Sequence, residues 1–318
     1  MSNIIQNKHK QIFTIVAKPQ SQDQLKLSNS NLVFCSDGQI INKIPISKIQ
    51  FVLLIGEMSI STQLIGQLAK HQVQMVFANH SFGQYFYTSH VQIFGDKELK
   101  LAQYQVYTDS KFKLQIATQI VQNKINNQNK LLRQKSFKPI SIPLIVATNN
   151  EQLMGIEGSV SAKYFALLFA KYNWKSRIPR AKHDINNFLL DIGYTYLFNL
   201  VSTFCTQLGY ENTFGFLHVD YYQRQSLVCD LMEPIRPLID NALVNALGRK
   251  QIKPEHFETV DGKVKLIDYR NIGQYTDIFA KALIEYQDPI YAYLRDFGDD
   301  LKSYCGQTPA KSVTTFEL

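Results

Sequence analysis

The spacing of apolar residues changes once along the chain, near Gly95, and this change restricts the possible folds more than any other feature. Before Gly95, short runs rich in β-branched and aromatic residues are separated by turn signals such as Asp37-Gly38, a pattern typical of β-strands. After it, apolar residues recur at helical spacing, for example at Leu114 and Ala117. The sequence therefore predicts an α+β protein, with a small β-rich N-terminal domain that contains one helix and an all-α C-terminal domain.

The predicted strands are short, and their sequences are QIFTIV, QLKL, NLVFC, QIINKIPI, IQFVLLIG, QVQMVFA and GQYFYT. One helix interrupts them: Ser61 can cap it, and its apolar face consists of Leu64, Ile65 and Leu68. Further helices are predicted at about 149–173, 184–209, 226–247 and 275–300. We place the two domains at residues 1–92 and 97–318, sizes that are common for folding units.

The chain has 318 residues, with 34 Lys and Arg against 26 Asp and Glu, and a formal net charge of +8. This excess fits either a mildly basic soluble protein or one that binds a polyanion, and charge does not separate the two. The four cysteines are widely spaced, which argues against a zinc ribbon or a disulfide framework and favours a reducing compartment. The sequence shows neither a signal-peptide core nor the roughly 18 apolar residues of a membrane span, so we expect a cytoplasmic protein.

Two carboxylates and two prolines interrupt the apolar run SLVCDLMEPIRP at residues 226–237. Asp230 and Glu233 are three residues apart and share one side of the predicted helix. Pro234 removes an N–H that would bond the carbonyl of Asp230, so we predict that the helix bends there. A bent core helix with a structural Asp230–Arg236 pair is one interpretation, but it does not explain why two acids occur in one apolar run.

Glu157 and His218 also have apolar sequence neighbours. Glu157 shares a predicted apolar stripe with Met154, and a buried carboxylate is costly unless it is paired, protonated or bound to a metal. Gly155 and Gly158 flank it, which fits the close approach of another backbone or of a ligand. Alternatively, Glu157 reaches the surface or pairs with an arginine. His218, taken alone, is more typical of a hydrogen-bonded core residue.

These residues form a candidate site of carboxylates and one imidazole, without a thiolate: Glu157, His218, Asp230 and Glu233. Ligand sets dominated by oxygen suit Mg²⁺ or Mn²⁺. A hard divalent ion in a basic helical domain most often serves phosphate-ester chemistry. That the four residues converge in the fold is a hypothesis, because they are far apart in the sequence.

Longer stretches around these residues are specific. They are NKINNQNKLL (123–132), GIEGSVSAKYF (155–165), NFLLDIGYTYL (187–197), GFLHVDYYQRQSLVCDLMEPIRPLID (215–240) and, in the β-rich domain, SISTQLIGQLAKHQVQMVFA (59–78). Together they resemble the family of CRISPR-associated spacer-acquisition integrases, the catalytic subunit of the adaptation complex. The resemblance covers nearly the whole chain. It departs from the family at Asp191-Ile192, where relatives commonly have Asn-Tyr.

The resemblance implies a catalytic metal site. The ligands of Mg²⁺ or Mn²⁺ would be Glu157, His218 and Glu233. Asp230 would stand beside them as a supporting acid and complete the catalytic set. Arg236 would lie near the DNA phosphates.

The resemblance and the basic residues together predict a DNA-binding surface. Tyr164 and Tyr194 would line the same pocket as the metal ligands. A basic cluster runs from the Glu157 helix into the following loop and consists of Lys163, Lys171, Lys175, Arg177, Arg180 and Lys182. As a group these residues fit contacts to phosphates, with Trp174 available for stacking on a base, although any one of them alone is typical of a solvated helix end.

The resemblance also implies a reaction and partners. A short DNA fragment would be inserted into a CRISPR array, as part of antiviral immunity, when its 3′-hydroxyl attacks a phosphodiester at the edge of a repeat. The partners would be double-stranded DNA, a second copy of the chain bound chiefly through the β-rich domains, and a small ferredoxin-like subunit. The alternatives are a standalone metal-dependent DNA nuclease and a catalytically inactive DNA-binding scaffold.

Overall fold

The computed structural model describes residues 10–17, 22–79, 84–87, 96–141, 145–218, 224–304 and 312–318. The chain divides into two compact units. The N-terminal unit contains residues 1–93 and 266–288, and the helical unit contains residues 94–265 and 289–318. The N-terminal unit thus includes a later segment, 266–288, that the sequence-based division assigns to the helical domain.

The described part of the N-terminal unit contains two sheets, built from strands β1 (Gln11–Val16), β2 (Gln24–Ser28), β3 (Asn31–Ser36), β4 (Gln39–Pro45), β5 (Ile49–Ile55), β6 (Ser59–Ile60), β7 (Gln74–Ala78) and β8 (Gln84–Tyr87). One sheet has the order β1-β5-β7-β8, in which β1, β5 and β7 are parallel and β8 is antiparallel to β7. The other has the order β4-β3-β2-β6, antiparallel except between β2 and β6. Every residue of β5 is buried, as expected for an inner strand of a parallel sheet.

Seven of these strands agree with the predicted ones, although the last is described only at residues 84–87, and the two-residue strand β6 was not predicted. The predicted helix is α1 (Thr62–Lys70). Its cap is confirmed, because Oγ of Ser61 accepts a hydrogen bond from the N–H of Leu64 at 3.3 Å. Leu64 and Leu68 are buried in the core, but Ile65, predicted on the apolar face, is 38% exposed.

The helical unit is built from α2 (Lys97–Thr108), α3 (Ser110–Gln134), α4 (Asn150–Leu168), α5 (Ile185–Leu208), α6 (Ser226–Met232), α7 (Arg236–Gly248) and, beyond α8 (Ile272–Glu285) of the N-terminal unit, most of α9 (Gln287–Tyr304). The predicted helix at 275–300 is therefore two helices. Helix α3 packs against α2, α4, α6 and α7. Helix α5 is long and apolar enough to cross a membrane, but 83% of its most apolar window is buried inside the protein, as in a core helix. The predicted α+β class is confirmed.

A hairpin that was not predicted is formed by β9 (Phe257–Val260) and β10 (Lys263–Leu266), and all of it except Leu266 belongs to the helical unit. Its turn contains Asp261 and Gly262, with φ angles of 51° and 72°. An Asp-Gly pair is the usual way to place two residues at positive φ in a tight hairpin. The Asp-Gly turn signal of this hairpin is therefore present in the sequence, in a domain predicted to be all-helical.

The predicted bend after residue 230 is confirmed. A 3₁₀ turn at Glu233–Ile235 separates α6 from α7. Pro234 has no N–H to offer, and the carbonyl of Asp230 accepts a hydrogen bond from the N–H of Glu233 instead. The carbonyl of Pro234 accepts one from Nδ2 of Asn127 at 2.8 Å, so the interruption leaves both of these carbonyl groups bonded.

Candidate metal-binding and DNA-binding site

Glu157 lies at the edge of the buried face of α4. The buried residues of this helix are Leu153, Val160, Tyr164, Phe165 and Leu168. Met154, predicted to share the apolar stripe, is 42% exposed, whereas the side chain of Glu157 is 22% exposed. Ser161 donates a hydrogen bond from Oγ to Oε1 of Glu157 at 2.7 Å. The carboxylate is therefore held in one orientation at the border between core and surface.

Glu233 begins the 3₁₀ turn, and its side chain is buried. Its Oε1 lies 3.0 Å from Nη2 of Arg236, and its Oε2 accepts a hydrogen bond from Nζ of Lys124 at 2.6 Å. Burial by itself would raise the pKa of Glu233, but the charges of Arg236 and Lys124 outweigh burial and lower the pKa to about 2. The predicted structural Asp230–Arg236 pair is wrong, because Arg236 pairs with Glu233.

Lys124 of α3 joins the two glutamates. Its Nζ donates hydrogen bonds to Oε1 of Glu157 and to Oε2 of Glu233, and the residue is only 7% exposed. Lys124 is absent from the predicted site, although its spacing from apolar residues of the same helix predicts that it is buried. It is seven residues from both Ala117 and Leu131, which are fully buried, so it lies on the same face of the helix.

Asp230 fixes the end of the loop that carries His218. Its Oδ2 accepts hydrogen bonds from the backbone N–H groups of Phe216 at 2.5 Å and Leu217 at 2.9 Å. Its Oδ1 accepts the backbone N–H of His218 at 3.1 Å and lies 2.6 Å from Nδ1 of the same residue. In the neutral tautomer that carries its proton on Nδ1, this contact is a hydrogen bond and Nε2 has the lone pair that a metal ligand needs.

Gly215 allows this loop to approach α6 closely. A Cβ atom at this position would lie 2.7 Å from Cβ of Ser226 and 2.9 Å from Oδ2 of Asp230. The carbon–carbon and the carbon–oxygen separation are both shorter than van der Waals contact allows, so only glycine fits at position 215. Residues 219–223, which continue the predicted motif, lie outside the described part of the chain.

The four predicted catalytic residues belong to one network in the helical unit. Lys124 connects Glu157 with Glu233. Nε2 of His218 lies 3.9 Å from Oε1 of Glu233, and the other side of the imidazole contacts Asp230. Sequence positions more than 70 residues apart therefore converge, as hypothesised.

The donor atoms of this network have the chemistry that Mg²⁺ or Mn²⁺ requires, namely carboxylate oxygens and one imidazole nitrogen. The ammonium of Lys124 already contacts both Glu157 and Glu233, so a positive charge is accommodated between them. Within the described residues, no three His, Cys, Asp or Glu side chains are close enough to hold an ion as they stand. Binding of an ion would therefore require local rearrangement around Lys124.

Tyr194 of α5 is flanked by two guanidinium groups. Cζ of Arg236 lies 4.7 Å and Cζ of Arg177 lies 5.4 Å from the centroid of its ring, both within the range of a cation–π interaction. Arg177, predicted to bind DNA, also pairs with Asp191 at 2.6 Å and donates to Oδ1 of Asn187 at 2.8 Å. Asp191 belongs to the Asp191-Ile192 pair at which we expected a departure from the resemblance, and its pair with Arg177 accounts for a carboxylate there.

Tyr164 and Tyr194, predicted to line the pocket, are buried and share a third buried residue, Asp240 of α7. Their hydroxyl groups donate to Oδ2 of Asp240 at 2.8 Å and to Oδ1 at 2.5 Å, respectively. Burial raises the pKa of Asp240 to about 6, although both tyrosine hydrogen bonds and Arg236 act in the opposite direction. Asp240 is missing from the predicted site, although it follows Arg236 by four residues on the same helix.

The remaining predicted DNA-binding residues lie on the surface of the helical unit. The exposed ones are Lys163, Lys175 and Arg180, together with Lys171 of the same cluster. Trp174 is half-buried, and its ring stacks on Phe165 and Phe169 with centroid distances of 5.4 Å and 4.9 Å. These two contacts make Trp174 part of an internal aromatic group.

Comparison with known proteins assigns the fold first. A Cas1 protein from Thermotoga maritima superposes with a TM-score of 0.84 at 20% identity, covering 95% of this chain and 99% of that one. A casposase bound to an integration product superposes with a TM-score of 0.80 at 17% identity, covering 93% and 92%.

The sequence then assigns the family. Residues 19–271 match the family of CRISPR associated protein Cas1. The chain is 28% identical over 271 residues to CRISPR-associated endonuclease Cas1 1 of Archaeoglobus fulgidus, an alignment that covers 74% of this chain and 78% of that protein. The chain belongs to the Cas1 family, which confirms the resemblance inferred from its motifs.

Proposed function

We propose that this chain is a metal-dependent DNA integrase and endonuclease that inserts short DNA fragments into a CRISPR array. The observation that carries the proposal is the network of Glu157, Glu233, His218 and Asp230 in a member of the Cas1 family. The relative from Archaeoglobus fulgidus is named an endonuclease, and the casposase of the same fold is described as bound to an integration product. These names support both cutting and joining of DNA.

Glu157, Glu233 and Nε2 of His218 would hold the Mg²⁺ or Mn²⁺ ion. When bound, such an ion lowers the pKa of an attacking hydroxyl and neutralises charge on the phosphate oxygens. Asp230 keeps the imidazole of His218 in one orientation through Nδ1, so that Nε2 remains available. Ser161 does the same for Glu157 through its hydrogen bond to Oε1.

The proposed reaction is an exchange of phosphodiester bonds. The 3′-hydroxyl of the fragment attacks a phosphodiester at the edge of a repeat, and the displaced strand leaves with its own 3′-hydroxyl. Because the number of phosphodiester bonds is unchanged, the reverse reaction is expected as well. With water as the nucleophile, the same site would act as an endonuclease.

Arg236 is the proposed contact to the phosphate next to the reacting group. Its side chain is 26% exposed, lies against the ring of Tyr194 and pairs with Glu233. These contacts hold its guanidinium beside the proposed metal ligands while leaving part of it accessible. A guanidinium in that position suits a phosphate, because its N–H groups match two phosphate oxygens.

The DNA backbone is proposed to approach along the exposed side of α4. A Cβ atom added at Gly155 or Gly158 would meet no heavy atom within 4 Å, so the surface beside Glu157 is open. Further phosphate contacts would come from Lys163, Lys175 and Arg180. Contacts of this kind position DNA without reading its sequence.

The proposed partners are double-stranded DNA, a second copy of the chain and a small ferredoxin-like adaptation subunit. The support for them is membership of the Cas1 family. Copurification with that subunit, followed by mass measurement of the complex in solution, tests the assembly.

The function is tested with the variants Glu157→Gln, His218→Ala and Glu233→Gln. A labelled fragment is incubated with Mn²⁺ and a plasmid that carries a repeat, and joined product is quantified. Glu151→Gln is the matched control, because Glu151 is an exposed glutamate in the first turn of the same helix. We expect the three variants to lose joined product while the control keeps it, and equal product from all three would contradict the proposed site.

Two further outcomes identify the alternatives. Cleaved fragments that are never joined to the plasmid would indicate a standalone nuclease. DNA binding without cleavage, joining or heat of Mn²⁺ binding would indicate an inactive scaffold.

A further inference from the structure

Lys124 occupies a special place with respect to the proposed metal ligands. Its ammonium contacts one oxygen of Glu157 and one oxygen of Glu233, the two carboxylates that would hold the ion. The rest of the side chain runs through the interior, since the residue is 7% exposed. Arg236 contacts the other oxygen of Glu233, so the two cations do not compete for the same atom.

The charges around this point balance without a metal ion. Glu157 and Glu233 contribute two negative charges, and Lys124 and Arg236 contribute two positive charges. Buried carboxylates that lose a cationic partner are left uncompensated and strongly destabilise the folded state. Lys124 therefore stabilises the arrangement of the two glutamates in the metal-free protein.

A divalent ion bound by both carboxylates would need the space that the ammonium of Lys124 now fills. The ammonium and the ion have charges of the same sign and would be held by the same acceptor oxygens. The two cannot remain close together there, because like charges repel strongly where water is excluded.

We propose that Lys124 is the resident cation of the metal site, which holds Glu157 and Glu233 in place before the ion binds and leaves the space between them when the ion enters. This inference rests on the proposed function, because it concerns the same ligands. Lys124 is then a positioning residue. The measured affinity for the ion depends on how well the ion competes with the ammonium of Lys124 for the two carboxylates.

The inference fixes the direction in which metal affinity changes on substitution. In Lys124→Met, the carboxylates lose their competing cation, so Mn²⁺ should bind about tenfold to a hundredfold more tightly than to the wild type. If Lys124 instead supported the ligands while the ion was bound, the same substitution would weaken binding.

The experiment is calorimetric titration of the full chain with Mn²⁺ in the absence of DNA, together with thermal melting in a chelator and in Mn²⁺. We expect Lys124→Met to melt several degrees below the wild type in the chelator, to bind Mn²⁺ more tightly and to gain more stability from it. Lys135→Met is the matched control. Lys135 directly follows the same helix, and its Nζ donates a hydrogen bond to Oδ1 of Asn245 at 2.5 Å. This contact involves neither Glu157 nor Glu233, so the Mn²⁺ affinity of the control variant should equal that of the wild type.

Equal or weaker Mn²⁺ binding by Lys124→Met, or no binding by either protein, would overturn the inference. Should Lys124→Met fail to fold, Lys124→Gln keeps a hydrogen-bond donor without the charge, and tighter Mn²⁺ binding is expected of it as well. The two proposals fail separately. A wild type that never joins DNA, combined with tighter Mn²⁺ binding by the variant, would refute the integrase function and leave the role of Lys124 intact.

Discussion

Replacing Asp230 by asparagine should lower the free energy of unfolding of the helical unit. The size of the loss follows from the hydrogen bonds that the Asp230 carboxylate accepts. Each carboxylate oxygen serves two donors, the backbone N–H groups of Phe216 and Leu217 at Oδ2 and two groups of His218 at Oδ1. Asparagine replaces one oxygen by an NH₂ group, so two buried donors lose their acceptor and face another donor. At about 1–3 kcal/mol for each unsatisfied buried group, the expected loss of unfolding free energy is roughly 2–6 kcal/mol.

Urea unfolding followed by tryptophan fluorescence measures this loss, because the single tryptophan of the chain, Trp174, lies in the helical unit. The control is Asp300→Asn. Asp300 accepts the N–H and Oγ1 of Thr314, both at 2.6 Å, but it is half-buried, so water can replace the lost contact at a cost of about 1 kcal/mol or less. If Asp230→Asn unfolded at the same urea concentration as the wild type, the assigned role of the carboxylate would be refuted.

Three further predictions follow from the site. Folding raises the pKa of Asp240 from 3.8 to about 6, so the folded state binds the proton more tightly and loses about 2 kcal/mol of stability as pH rises from 4 to 7. Asp240→Asn should lack this decline in urea titrations, and an identical pH profile would contradict the shift. Gly155→Ala and Gly158→Ala should each raise the unfolding free energy by up to about 1 kcal/mol and yet reduce DNA joining, whereas full joining would argue against DNA at that surface. Lys175→Ala should reduce the slope of log affinity against log salt by about 0.9 in fluorescence anisotropy, and an unchanged slope would remove Lys175 from the DNA contacts.

The sequence predicts the N-terminal strands well because alternating and continuous apolar runs report burial directly. The inner strand β5 is the clearest example, since a run of apolar residues there matches a strand buried throughout. The break between α6 and α7 is predictable for a similar local reason, because Pro234 lacks the N–H that a continuous helix needs. The domain limits and the roles of the site residues remain predictions.

Lys124 and Asp240 are harder to assign to the site from periodicity, because charged residues on helices are usually solvated. Each is buried only because of partners that are remote in the sequence. Lys124 depends on Glu157 and Glu233, and Asp240 depends on hydroxyl groups from α4 and α5. Helical spacing places both residues on buried faces, and treating a charge on such a face as paired would have identified them.

The close packing at Gly215 affects how a mutational screen of this protein should be interpreted. A library that samples every residue at position 215 should recover only glycine, since even a methyl group would meet Ser226 and Asp230. Position 157 should score as equally intolerant, although for a chemical reason. The two can be told apart by abundance: variants at 215 should disappear from the soluble fraction, whereas Glu157→Gln should accumulate as folded, inactive protein. A fitness map alone would therefore not distinguish Gly215, which is needed for folding, from Glu157, which is needed for the proposed reaction.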